Sequence, residues 1–239
     1  MDGTAYTYVV RATSSGSPSF TSADSPTATA TADATPPAAP TTVALANGGD
    51  AGSAYINLAN RSSLSVNVTL PAGSLASDTI TLTLTSGAGT VTRTMPASAG
   101  AGVAAFTGID VPALGDGTVT LSATSTDLAG NVSAAKTATA TKDTAAPAAP
   151  TAAYTDSKAP TADRIAGAAE TGATVTANRT VPSAAGPYTA TAAAGAYALN
   201  VANTAGTGSV KISVTYLITA TDAAGNMSTA TTLTFLDAK

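Results

Sequence analysis

The chain has 239 residues and a net charge of -4, with no Cys, His or Trp, 4% aromatic and 10% charged residues. Those counts exclude disulfides, thiolate metal sites and any catalytic arrangement built on His, and the acidic balance argues against nucleic acid, whose phosphates need a basic face. The apolar fraction of 44% is carried largely by Ala and Val, so modules of about 100 residues would have small-residue cores of modest stability unless something staples them.

Read from the N-terminus, MDGTAYTYVV has neither a basic n-region nor a long apolar run. No stretch of about 18 apolar residues follows, so no membrane insertion is expected. DGTAYTYVVRAT (2–13) reads as an alternating strand that follows an Asp-Gly turn, and TATATADATPPAAPT (27–41) as a last strand running into a Pro-rich linker. Residues 1–37 are thus expected to supply only the last two strands of a first sandwich. A lone hairpin is marginal in water, so this piece should be frayed, completed by upstream sequence, or paired with another chain in homotypic association.

The next signals are LSVNVTL (64–70), TITLTLT (79–85), TVTLSAT (118–124) and VKISVTYLI (210–218), each alternating apolar and polar residues. Period two marks strands with one buried face. Gly, Pro, Asn and Asp interrupt these runs at short intervals, and an all-β antiparallel sandwich is the natural reading. TATATKDTAAPAAPT (137–151) repeats the first linker, and Asp237 stands where Asp33 and Asp143 stand. The repeat divides the remainder into modules at 38–146 and 147–239, joined by short, semi-rigid linkers. The whole reads as part of a longer array.

The residues also carry a resemblance. DGTAYTYVVRA resembles the closing strands of fibronectin type III domains; VNVTLPAGSLASDTITLTLTSG with FTGIDVPALGDGTVTLSATSTDLAGNVS resembles bacterial Ig-like repeats. RIAGAAETGATVTA and ITATDAAGNMS in the third module resemble a second kind of bacterial Ig-like domain, found in tandem in very large surface adhesins and biofilm proteins. The resemblance implies a non-catalytic stalk or extender outside the bacterial cell, on its surface or secreted, whose partners are neighbouring modules of the same polypeptide. In some relatives, it further implies, calcium rigidifies the joints.

TDLAGNVS (126–133) returns as TDAAGNMS (221–228), and only Glu170 among the fourteen acids is not Asp. In a sandwich of seven alternating strands, the loop before the last strand lies at the pole facing the preceding module. Asp222 would then approach Asp143 and Asp116, and Asp127 would approach Asp33 and the turn containing Asp2. Calcium takes six to eight oxygens, which carboxylates, carbonyls and water supply, so Asp33, Asp116, Asp127, Asp143 and Asp222 are candidate Ca2+ ligands. A plain turn explains the motif equally, with Asp capping backbone N–H groups and Gly or Asn at positive φ. Asn131 and Asn226 are turn formers under both readings, and Glu170 reads as a turn residue at the opposite pole.

Weaker signals have plainer explanations. GAGVAA (100–105) fits a loose dinucleotide fingerprint but lacks the following helix, and reads as a hairpin. The sequons at Asn60, Asn67, Asn131, Asn178 and Asn226 are expected by chance in so Ser- and Thr-rich a chain. Lys211, a candidate for a Lys–Asn cross-link, has solvent-facing parity, and the Thr alternation is ordinary β-surface. A rival function is an accessory carbohydrate-binding region of a secreted polysaccharide-degrading enzyme. Sugar faces stack on aromatics, however, and the seven Tyr form no evident strip; Tyr216 shares parity with Val214 and Ile218 and should be core.

Overall fold

A computed structural model describes residues 2–49, 54–87, 89–157, 162–202 and 211–237. Among the described residues there is no helix, and the strands fall into three groups along the chain. The first is a single antiparallel hairpin, β1 (Ala5–Tyr8) with β2 (Ala28–Thr31), in which Tyr6 faces Ala30 and Tyr8 faces Ala28. Every strand residue in it is exposed. The long connection is laced by local bonds instead of a core: the Ser25 and Ser22 hydroxyls accept from the N–H groups of Val10 and Ala12, both at 3.0 Å, and Arg11 pairs with Asp24.

The second group comprises β3 (Thr42–Leu45), β4 (Tyr55–Ile56), β5 (Leu64–Thr69), β6 (Thr79–Ser86), β7 (Gly89–Pro96), β8 (Val103–Ile109), β9 (Gly117–Thr126) and β10 (Lys136–Lys142). They form one sheet of order β3-β5-β8 and another of order β4-β10-β9-β6-β7. Alternation decides the core, because successive side chains point to opposite faces: Val66 and Val68 of β5, Ile80, Leu82 and Leu84 of β6, and Val119, Leu121 and Ala123 of β9 all turn inward and are buried. Residues 100–105 run from β7 in one sheet to β8 in the other, so this segment is an inter-sheet crossing and not the hairpin expected from sequence. The group also has one strand beyond the expected seven. Two-residue β4 pairs parallel with the end of β10, Tyr55 opposite Thr141 and Ile56 opposite Lys142.

The third group is β11 (Ala153–Thr155), β12 (Asp163–Ala168), β13 (Thr174–Val181), β14 (Ala185–Thr191), β15 (Ala196–Val201), β16 (Ile212–Thr221) and β17 (Thr231–Asp237), in sheets β11-β12-β15 and β14-β13-β16-β17. Val210, expected to open the strand that is β16, lies outside the described residues; Lys211 is exposed. This core is separate from that of the second group. Aromatics compensate for its many Ala residues. Tyr154 stacks on Phe235 with centroids 3.5 Å apart, Phe235 lies parallel to Tyr216 at 6.2 Å, and Tyr188 meets Tyr216 edge-on.

Tyr216 is fully buried, and its hydroxyl has no hydrogen-bond partner. Burial pushes that phenol up to about 12, so it stays neutral at every ordinary pH. An unsatisfied buried hydroxyl costs about 1–3 kcal/mol. Tyr216→Phe keeps the ring contacts and removes the cost, and should raise the melting temperature of the third sandwich; a fall on calorimetry would mean that the hydroxyl is hydrogen-bonded in solution.

Candidate functional site at the joints

The repeated octapeptide forms the same turn twice. In the first copy, Asp127 N–H donates to the Asn131 carbonyl at 3.1 Å and Gly130 N–H to the Asp127 carbonyl at 3.2 Å. The Asp127 carboxylate accepts from Asn131 twice, from the backbone N–H at 2.8 Å and from Nδ2 at 3.0 Å. Asp222 and Asn226 reproduce each of these bonds. Gly130 and Gly225 sit at φ 93° and 87°, in the left-handed region where a side chain would be strained. Ser133 and Ser228 then clamp the strand end by accepting from Ser125 N–H and Ala220 N–H, each at 2.9 Å.

Both turns point at the preceding module, but they reach it through the asparagine. Asn131 Nδ2 donates its second hydrogen to the Asp33 carbonyl at 3.2 Å, and Asn226 Nδ2 donates to the Asp143 carbonyl at 3.0 Å. Asp33 and Asp143 follow the last strands, β2 and β10, of the preceding groups. Each asparagine therefore closes its own turn and bridges a joint with one amide group. Sequence reading assigned only the first of these roles.

The acidic side chains are occupied elsewhere. Asp33 Oδ1 accepts from Thr35 N–H and Asp143 Oδ1 from Ala145 N–H, each two residues ahead, so both hold the linker. Asp116, expected to face Asp222, instead accepts from Lys142 Nζ at 2.7 Å and from the N–H and hydroxyl of Thr144. Asp2 treats its own linker in the same way, accepting from Ala34 N–H at 2.7 Å and from the Thr35 hydroxyl. Beside the first joint, Asp33, Asp78 and Asp127 line a hollow of about 320 Å³. Asp78 is buried there, with Oδ2 accepting from Leu75 N–H and Oδ1 without a hydrogen-bond partner. Yet among the described residues no three acidic side chains come close enough to share one ion. The described carboxylates of Asp33, Asp116, Asp127, Asp143 and Asp222 each accept hydrogen bonds within their own turn or linker. Glu170 closes a turn with its carbonyl, which accepts from Ala173 N–H.

The second joint has an additional layer of contact. Parallel pairing of β4 with β10 brings Asn57 beside Asp143, whose N–H donates to the Ile56 carbonyl at 2.9 Å. Asn57 Nδ2 donates to the Ala224 carbonyl at 2.7 Å, and Leu58 N–H donates to Asn226 Oδ1 at 2.9 Å. Gly49 lies so close that a Cβ there would come within 2.5 Å of the Ala224 carbonyl oxygen. Ala224, Asn226 and Asn57 are all buried. The matching tip of the first joint is open, with Ala129 exposed and Leu128 88% exposed.

No family model and no curated protein sequence matches the chain. Solved structures resemble it at low identity. A tetra-tandem repeat from the extending region of a large adhesion protein is 21% identical, with 97% of this chain covering 56% of that one and a TM-score of 0.36. The chain thus spans little more than half of that structure. The FN1–FN3 domains of chicken CNTN1 are 11% identical over all of this chain and 79% of theirs, with a TM-score of 0.46. A 1.5-MDa bacterial ice-binding adhesin is 23% identical over 88% of this chain and 68% of that chain, with a TM-score of 0.39.

The electrostatics of the joints set a pH dependence. The Asn131 side-chain amide, with nearby backbone N–H groups, holds the Asp127 carboxyl below its usual value; the Lys142 ammonium does the same for Asp116, and the Thr35 hydroxyl for Asp2. A depressed folded pKa stabilises the protein above the unfolded value, and that stabilisation is lost as pH falls through the folded value. The ordinary carboxyl value here is 3.8, and the chain has no His to titrate nearer neutrality. Its melting temperature should therefore be flat from about pH 8 to 5 and fall below about pH 4. A transition near pH 6 in a thermal-melt series would refute this assignment.

Proposed function

We propose that the chain is a non-catalytic structural spacer of an extracellular bacterial adhesin or biofilm protein, its sandwiches fixed head to tail so that the array projects a binding domain lying elsewhere. The carrying observation is the repetition of one joint chemistry: the same Asp-x-Ala-Gly-Asn turn delivers an asparagine amide to the backbone of the preceding linker at residues 33 and 143. A loop copied at each boundary serves the boundary, whereas a ligand site needs no such periodic placement. The adhesin setting rests on the sequence resemblance. The rival carbohydrate-binding role is disfavoured because Tyr154, Tyr188 and Tyr216 are committed to the core of the third sandwich. Small-angle scattering of the chain in solution tests the proposal. It should give the maximum dimension of sandwiches in line, and a folded-back particle would overturn it.

A further inference from the structure

We propose that the hollow beside the first joint binds a linear polyamine, with Asp78 anchoring one ammonium group, Asp33 and Asp127 meeting others, and Pro36, Pro37 and Leu75 bedding the methylene chain. Every described residue that lines the hollow belongs to the linker or to the second sandwich. The inference goes beyond the spacer reading and does not depend on it.

The anchor is a carboxylate that its turn does not need. Asp78 N–H donates to the Leu75 carbonyl at 3.0 Å, and the Asp78 carbonyl accepts from Ala97 N–H at 2.8 Å. In the third sandwich Ala173 makes the matching bonds to Glu170 and Ala192, at 3.1 and 2.9 Å. The residues that follow, Thr79 and Thr174, open β6 and β13. Alanine therefore serves in one sandwich where Asp78 stands in the other. Asp78 is 3% exposed, and its Oδ1 has no hydrogen-bond partner. Burying it costs desolvation that the single bond from Leu75 N–H to Oδ2 offsets only in part. A cation brought to Oδ1 supplies the missing partner.

The lining specifies what kind of cation. No three acidic side chains among the described residues come close enough to share one ion, so Asp33, Asp78 and Asp127 suit charges carried at separate points of one molecule. Asp33 and Asp127 already accept bonds from Thr35 and Asn131, but a carboxylate has about four acceptor positions and both keep capacity. None of the described lining residues is Lys or Arg, so no side chain within the hollow neutralises the acids. The volume of about 320 Å³ lies at the small end of ligand sites. Pro36, Pro37 and Leu75, the last 59% exposed, offer apolar surface of the sort on which alkyl-ammonium stems lie while their heads stay in polar contact.

Titration of the full chain with spermidine, followed by calorimetry and by backbone-amide NMR shifts, tests the site. One spermidine per chain should bind, with shifts centred on residues 33–38, 72–78 and 127. Asp78→Asn should weaken binding about tenfold or more, the loss of one hydrogen bond between charged groups. Asp78→Ala should do the same and leave the melting temperature of the free protein unlowered, as the alanine of the third sandwich implies. If the alanine variant is destabilised, the carboxylate serves the turn and the proposal fails; the asparagine variant, which retains an acceptor for Leu75 N–H, still reads the affinity. No binding at millimolar spermidine, or binding that survives both substitutions, would overturn the site, the latter as attraction to the acidic surface at large. Butylamine binding as tightly as spermidine would overturn the polyamine assignment, and so would calcium shifting the same amides in an Asp78-dependent way while spermidine does not.

Discussion

Leu121→Ala is expected to destabilise the second sandwich by about 3–4 kcal/mol while moving the unfolding transition of the third far less. Leu121 is 1% exposed on β9, between Ala138 of β10 and Leu84 of β6, in the middle of the five-stranded sheet. Its removal leaves a cavity that the flanking β-strands, fixed by their ladders, can close only in part. The third sandwich shares no core residue with this cluster, and the second joint contributes only a few hydrogen bonds, each worth about 1 kcal/mol net. Calorimetry should therefore resolve two transitions, of which one moves. If both fell together by the full amount, the sandwiches would be a single cooperative unit and the separate-module account of the chain would fail.

The two clusters of buried residues lie on either side of the second copy of the TATAT, Asp and Pro-rich linker, a repeat that is plain in the sequence. The best strands were legible for a related reason: β5, β6, β9 and β16 alternate mostly apolar with mostly polar residues, exposed Leu217 of β16 being an exception, and their burial alternates in step. β15 also alternates in burial, but AYALNV places Ala where a stronger contrast would be needed, and β12 and β14 are diluted by Ala, Gly and Pro. The two-residue β4 has no period to read.

The joints were half legible for a different reason. A repeated turn motif declares that the turn matters and says nothing of what its spare hydrogen-bonding capacity meets, so Asn131 and Asn226 were legible as turn formers and not as bridges to the preceding linker. The duplicated Asn was itself the available signal, since an Asp-Gly turn would close without it. The contact between Asn57 and the Ala224 carbonyl was beyond reach. Asn57 and Ala224 are 167 positions apart, and no spacing rule connects a loop in one sandwich to the tip of the next.

Asp116→Ala should cost about 3 kcal/mol in the second sandwich, because it strips a buried ammonium of its partner. The Lys142 side chain is 7% exposed and its Nζ lies 2.7 Å from Asp116 Oδ1. Asp116 itself is more open, at 42%, which keeps the loss below that of a fully enclosed pair. The same carboxylate receives the N–H and hydroxyl of Thr144, so part of the loss is slack in the linker. Lys142→Met separates the two contributions, since it removes the charge and preserves the apolar stem. In that background Asp116→Ala should cost only the Thr144 bonds, about 1 kcal/mol. A double-mutant cycle by denaturant unfolding, run in calcium and in chelator, gives the coupling directly. If Asp116→Ala were costly only in calcium, the acid would be serving a cation at the joint, and equal cost with and without Lys142 would place its whole effect in the Thr144 bonds; a cost that falls to that of the Thr144 bonds once Lys142 is replaced assigns the acid to its own linker strand.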